Sequence, residues 1–300
     1  MAFEIIGPEA EAHLSWHGLI DALEAGHNLP QAQINDLILR RGGDTLLDRA
    51  AWIDGLGSLV KVATVVPGNA ARGLPTVNGA VAIFDDQTGI LKAMVDFHLI
   101  TKWKTAGDSL LSASRLARKN SRNILLVGAG TVARSMVDAY GALFPDAKFT
   151  VWSRNAATAA KMGLPVANDL EKAVRAADII CTATMATEPL IKGAWLQPGQ
   201  HLDLIGAYRP DMREVDDEAM TRAKLFVDSR STTIHHIGEL MMPLKSGAIT
   251  EAEVIADFYD IKSGSFIRQS DDDITIAKNG GGAHLDLMTA SYVMEMWRGG

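Results

Sequence analysis

A single cysteine, Cys181, in 300 residues excludes an internal disulfide and a thiolate-held metal cluster. It lies in the apolar run Asp178-Ile179-Ile180-Cys181-Thr182, which predicts a small buried hydrophobe. Blocks of basic residues are also missing: 29 lysines and arginines face 36 acidic residues, for a formal net charge of −7. Nucleic acid and anionic membrane surfaces require concentrated positive charge, so neither is expected as a partner. No apolar run approaches the roughly 20 residues that span a bilayer. Residues 1–8 show no basic stretch leading into an apolar one, so no signal peptide and a cytoplasmic location are expected. With 47% hydrophobic and 22% charged residues, the composition is that of a globular chain, long enough for two domains.

In the first third, residues 9–25 carry apolar residues at helical spacing, and residues 30–39 read as a second helix. Short β-rich runs follow at 45–47, 59–66, 79–84 and 90–96. Turn chemistry separates them at Pro67-Gly68-Asn69, Gly73-Leu74-Pro75 and Asp85-Asp86-Gln87-Thr88-Gly89. A mostly antiparallel sheet is predicted, then a long helix over residues 100–118. From Arg122 the rhythm changes. Strands fit 124–127, 149–152, 179–182, 201–205 and 225–227, with helices at 132–143, 156–162 and 170–176. Such alternation predicts an α/β fold with a parallel, doubly wound Rossmann sheet. Residues 285–297 read as a closing helix.

Gly128-Ala129-Gly130-Thr131-Val132-Ala133 has the G-x-G-x-x-A form that cradles a dinucleotide. Taken alone the string is weak, and a Gly-rich turn without a ligand is the alternative. Here an apolar strand precedes it and an amphipathic helix follows, as the motif requires. Gly128 allows the tight turn, Gly130 admits the pyrophosphate to the backbone, and the helix N-terminus faces the phosphate charge. The next strand ends in Trp152-Ser153-Arg154-Asn155 with no acid to hold a ribose 2′-hydroxyl. Ser153 can hydrogen-bond and Arg154 can pair with a 2′-phosphate, which favours NADPH over NADH. A solvated loop cation is the other reading of Arg154.

Several segments in this order resemble the ornithine cyclodeaminase/μ-crystallin family over nearly the whole chain. They are Lys61 with Pro67-Gly68-Asn69, Gly73-Leu74-Pro75-Thr76-Val77, Thr88-Gly89 and Thr101-Lys102-Trp103-Lys104-Thr105-Ala106. The Gly-rich loop, Ala177-Asp178-Ile179-Ile180 and Arg213-Glu214-Val215-Asp216 continue the series. The resemblance implies an N-terminal α+β substrate and dimerisation domain, residues 1–118 with 275–300, beside a cofactor domain, residues 119–274. It also implies a homodimer associating through the N-terminal sheets. Lys61 matches the family's substrate-binding and catalytic lysine. Lys104 falls where members carry an arginine that holds the substrate carboxylate. Thr76 and Thr105 match positions lining the substrate and cofactor cleft, and Thr184 is expected at the cofactor. Gly281, in Gly280-Gly281-Gly282, matches a segment that passes near the nicotinamide. Arg49 and Arg41 are candidates for the family's early arginine, Arg49 being nearer the Lys61 strand.

Departures from the family pattern narrow the reaction. Tyr208 stands where cyclodeaminases carry an aspartate, which argues against ornithine cyclisation, although Asp211 is a possible substitute. Lys104 exchanges an arginine fork for a point charge. The resemblance thus implies reduction of small cyclic imino acids, Δ1-pyrroline-2-carboxylate or Δ1-piperideine-2-carboxylate, to L-proline or L-pipecolate. Cations at Lys61, Lys104 and Arg49 would clamp the carboxylate, and Lys61 would pass a proton to nitrogen. A strand-edge cation facing water is the bland alternative for Lys61. A cyclodeaminase, an alanine dehydrogenase-like enzyme and a non-catalytic NADPH-dependent binding protein are the rival functions. His235-His236-Ile237-Gly238-Glu239 lacks a third ligand and is not read as a metal site. His284 and Asp286 either touch cofactor or substrate or cap the last helix.

Overall fold

The computed structural model describes residues 3–300. In chain order the elements are β1 (Glu4–Ile6), α1 (Trp16–His27), β2 (Gln33–Arg41), β3 (Asp44–Ile53), β4 (Gly57–Val65), β5 (Val77–Phe84), β6 (Leu91–Val95) and α2 (Phe97–Leu116). There follow β7 (Asn123–Val127), α3 (Thr131–Leu143), β8 (Lys148–Trp152), α4 (Ala156–Ala160), α5 (Leu170–Ala176), β9 (Ile179–Thr182) and β10 (His201–Leu204). The remainder are α6 (Asp217–Arg222), β11 (Lys224–Val227), α7 (Arg230–Thr233), α8 (Gly238–Ser246), β12 (Val254–Ala256), β13 (Thr275–Lys278) and α9 (Ala283–Gly299). The chain divides into two compact units: Met1–Lys104 with Gly282–Gly300, and Thr105–Gly281. Among the described residues no helix is long and apolar enough to cross a membrane.

The first unit is built on a six-stranded sheet of order β1-β6-β5-β4-β3-β2, antiparallel except that β1 runs parallel to β6. β4 lies inside this sheet, and its burial alternates along Gly57–Val65, so Leu59, Lys61 and Ala63 share the covered face. Cross-strand register lines up Asp36, Arg49, Lys61, Val81 and Val95 in one row. α9 packs on β2 to β6 and against α1. Ser15 caps α1 by accepting the Gly18 amide, and Tyr292 of α9 donates to the Ser15 carbonyl at 3.0 Å. Trp16 stacks on Trp103 with ring centroids 3.9 Å apart.

Three expectations are corrected here. Residues 30–39 form no helix: Gln33–Arg41 is strand β2, because its Ile34, Leu37, Ile38 and Leu39 pair with β3 around a turn in which Gly42 takes φ 58°. Residues 9–25 are not one helix. A 3₁₀ segment, Pro8–His13, ends before Ser15, whose extended backbone and capping side chain start α1 afresh. The division of the chain also differs from 1–118 with 275–300 against 119–274. It falls within α2, after Lys104, and after Gly281, because Thr275–Lys278 is an inner strand of the second sheet.

The second unit carries a seven-stranded, wholly parallel sheet of order β12-β11-β13-β10-β9-β7-β8. Its inner strands are buried on both faces, hence their near-continuous apolar sequences. Cys181 is buried in β9, where burial also pushes its thiol pKa up. Two buried carboxylates hold the loops at the carboxyl ends of the strands. Glu214 accepts from Thr182 Oγ1 (2.8 Å), from the Thr184 amide and hydroxyl (2.9 and 2.7 Å) and from the Gly206 amide (2.8 Å). Asp228 accepts from the Gly281 amide (2.6 Å) and the Thr233 hydroxyl (2.7 Å). Lys278 Nζ donates to the Leu204 and Asn279 carbonyls at 2.7 and 2.8 Å. Charge from Glu214, Glu239 and Asp228 favours its ammonium, while burial pulls its pKa down.

Candidate active site

In the first unit, cations gather on the covered face of the sheet. Lys61, only 6% exposed, donates from Nζ to Asp286 Oδ1 and to Thr101 Oγ1, both at 2.8 Å. Its Nζ also lies 4.8 Å from the centre of the Phe97 ring. Arg49 stands directly opposite Lys61 and holds Asp36 through Nη2 to Oδ2 at 2.9 Å. Lys104 is buried on α2. Burial lowers the Lys61 pKa, the charge of Asp286 opposes that, and Lys104 and Arg49 add to the lowering. The opposite balance governs Asp286. Burial raises its pKa, but Lys61, Lys104 and Arg49 outweigh that and hold the carboxyl below its usual range. Next to Asp286 on α9, His284 is fully buried and packs edge-on against His27 with ring centres 5.3 Å apart. Burial, His27, Lys104 and Arg49 together push the His284 imidazole well below its ordinary pKa, so it is neutral.

Several sequence candidates thus share one place: Lys61, Lys104 and Arg49. Arg41 does not join them, since it pairs with Asp44 at the exposed end of the hairpin. Lys61 is no strand-edge cation facing water. Neighbouring residues of the Thr101–Ala106 motif do other work: Lys102 and Trp103 Nε1 both donate to Glu11, at 2.7 and 2.8 Å. Thr76 is half-buried where the chain enters β5, and its carbonyl accepts the Val66 amide. Asp286 is neither a helix cap nor a solvent residue; it is the acid of the cluster. The one sequence signal for it was an isolated acid in the otherwise apolar opening of α9.

In the second unit, Gly128 joins β7 to α3 at φ 115°, and a Cβ there would lie 2.4 Å from the Ala183 carbonyl oxygen. Only glycine fits. Ala129 is buried, and Gly130 is the N-cap of α3, with no side chain bonding the first amides of that helix. A Cβ on Gly130 would meet nothing within 4 Å. Those amides, with Thr131 and Val132 in the first turn, form an open anion-binding cradle that fits a dinucleotide pyrophosphate. Ser153 and exposed Arg154 follow β8, and Thr184, fixed by Glu214, follows β9. Thr105 is half-buried at the start of this unit, and Gly281 is held by Asp228 at φ 69°.

The candidates left outside the site have structural explanations. Glu239 is fully buried and accepts the Glu214 and Val215 amides at 2.8 and 3.1 Å. Burial and the neighbouring Glu214 raise its pKa to about 7. His235 is exposed beside Glu251. Among the described residues no group of three His, Cys, Asp or Glu side chains is arranged to hold a metal. Tyr208 is exposed, and Asp211 is engaged by Arg209 at 2.8 Å.

Known proteins resemble this chain in sequence and in fold. A Δ1-pyrroline-2-carboxylate reductase of Paracoccus denitrificans is 53% identical over 302 residues, covering 97% of this chain and 96% of that protein. The solved structure of Thermococcus litoralis Δ1-pyrroline-2-carboxylate reductase in complex with NADH and L-proline superposes with a TM-score of 0.89 at 26% identity, covering 99% of this chain and 98% of that one. An archaeal alanine dehydrogenase dimer with bound NAD matches with a TM-score of 0.89 at 27% identity, covering 100% and 97%. Fold, nucleotide cradle and relatives define an NAD(P)-dependent oxidoreductase acting on carbon–nitrogen bonds. The model of the ornithine cyclodeaminase/mu-crystallin family matches residues 54–300, and the chain belongs to that family.

Proposed function

We propose that this protein reduces the C=N bond of small cyclic imino acids, Δ1-pyrroline-2-carboxylate and Δ1-piperideine-2-carboxylate, to L-proline and L-pipecolate, with NADPH preferred over NADH. The carrying observation is the buried Lys61 facing Arg49 in register, with the charge of Lys104 acting on both Lys61 and Asp286. Like charges gathered out of water repel, and a bound carboxylate relieves that repulsion. A small anionic substrate is what such a group selects. The nucleotide supplies a hydride when bound. Gly128, Ala129, Gly130, Thr131 and Val132 would hold its pyrophosphate, with Thr105 and Thr184 as further contacts. Lys61, Lys104 and Arg49 orient the carboxylate, Thr76 and Gly281 complete the substrate contacts, and Lys61 Nζ supplies the proton to nitrogen. Oxidation of reduced nucleotide with pyrroline-2-carboxylate, followed at 340 nm, tests the assignment. Ammonia release from ornithine without imine reduction would replace it by a cyclodeaminase.

NADPH preference rests on the end of β8, where Ser153 and Arg154 offer donors and no acid is present. Arg154→Ala should weaken NADPH binding about tenfold or more, a loss of at least ~1.4 kcal/mol, and leave NADH nearly unchanged. Equal losses in fluorescence titrations would reject the role. A homodimer belongs to the same proposal: edge strand β2 exposes Leu37, Ile38 and Leu39 by more than half, and an unprotected apolar edge invites a second copy.

A further inference from the structure

We propose that Asp286 is the positioning residue that keeps Lys61 charged and aimed, so that the two act as one proton-delivering pair. This rests on the imine-reductase reading and names the group behind its proton donor. Around Lys61 Nζ, α2 offers Thr101, Phe97 and the Lys104 charge, β3 offers Arg49 with Asp36 of β2 bound to it, and β5 places Val81 opposite. Near the same cations lie His284 of α9 and His27 of α1, the former kept neutral. Asp286, fully buried, is therefore the carboxylate bonded directly to the ammonium. Its Oδ1 receives Lys61, and its Oδ2 makes no hydrogen bond. One oxygen thus fixes the lysine, while the carboxylate's charge opposes burial and the two neighbouring cations, which push Lys61 toward the neutral amine.

During reduction the hydride adds to the imine carbon and the C=N π pair moves to nitrogen. A new N–H bond forms there as one Nζ–H bond of Lys61 breaks, leaving Lys61 a neutral amine and Asp286 still a carboxylate. Water then returns a proton to Lys61. One hydride from the reduced nicotinamide nucleotide and one solvent proton are consumed in each turnover. Only the ammonium form works, so the basic limb of the pH profile reports the Lys61 titration. Removing the Asp286 charge lowers that pKa, and the limb moves toward acid.

The test is Asp286→Asn in the full chain. Its kcat/KM basic limb should move down by about one pH unit or more. In the nucleotide-free protein, ¹³C NMR titration of the Lys61 Cε resonance, assigned with Lys61→Arg, should show the same displacement. Asp286→Glu, which keeps the charge, should return the limb toward its wild-type position while kcat remains reduced. If the asparagine chain does not fold, Asp286→Ser carries the same test. A Lys61 titration unchanged between wild type and the neutral variant overturns the proposal. If the wild-type protein reduces no cyclic imine, the functional reading fails, yet the NMR titration still decides whether Asp286 governs Lys61.

Discussion

Replacing Lys61 by alanine is expected to cut imine reduction about a thousandfold, the range lost when a positioned general acid is removed, while nucleotide binding stays intact. Two losses combine at this position. On the proposed reading the substrate carboxylate loses one of its cations, and nitrogen loses its proton source. Asp286 is also left buried without its bonded cation, so the variant should be less stable as well as slower. The nucleotide loop and Arg154 belong to the other unit, so affinity for NADPH should match the wild type. Steady-state rates with pyrroline-2-carboxylate, beside fluorescence titration of the nucleotide, separate these effects. Turnover within a few-fold of wild type would remove Lys61 from the chemistry.

Glu214→Ala should destabilise the second unit by about 3–5 kcal/mol, the cost of breaking a buried charge network. The carboxylate accepts from Thr182, Thr184 and Gly206, which lie on or just after β9 and β10. Truncation strands these buried donors and removes an anion that favours the Lys278 ammonium. Thr184 is also freed, so nucleotide affinity should fall with stability. Chemical denaturation of the purified protein measures the first effect. A loss below about 1 kcal/mol, the worth of one ordinary hydrogen bond, would show that the network tolerates the vacancy.

Much of this was legible in the residues. The strand–glycine–helix passage at residues 124–143 announced its own fold, because the turn at Gly128 admits no side chain. Lys61 and Lys104 were visible through the family likeness, and Lys61 also through its place between Val60 and Val62. Other parts were hidden for physical reasons. β2 looked helical because its apolar residues do not alternate cleanly, both of its faces being exposed. β13 was missed since four residues between an acidic loop and a glycine run carry too little periodicity to mark a strand, and only pairing with β10 and β11 defines it. Asp286 was ambiguous because its meaning comes from a partner 225 positions away. Glu214 was visible only as a motif letter, its bonds being made with loops that sequence does not bring together.

That long separation also governs how the protein comes into being. β2 to β6 are successive neighbours in the chain and in the sheet, contacts a nascent chain can make early. α9, which packs on those strands, follows all of them in the chain. Until it leaves the ribosome, the sheet carries an uncovered apolar face, and Lys61 lies there without the carboxylate it will bind. Termination just before residue 283 therefore yields a chain that keeps the glycine loop of residues 128–133 but leaves Lys61 without Asp286.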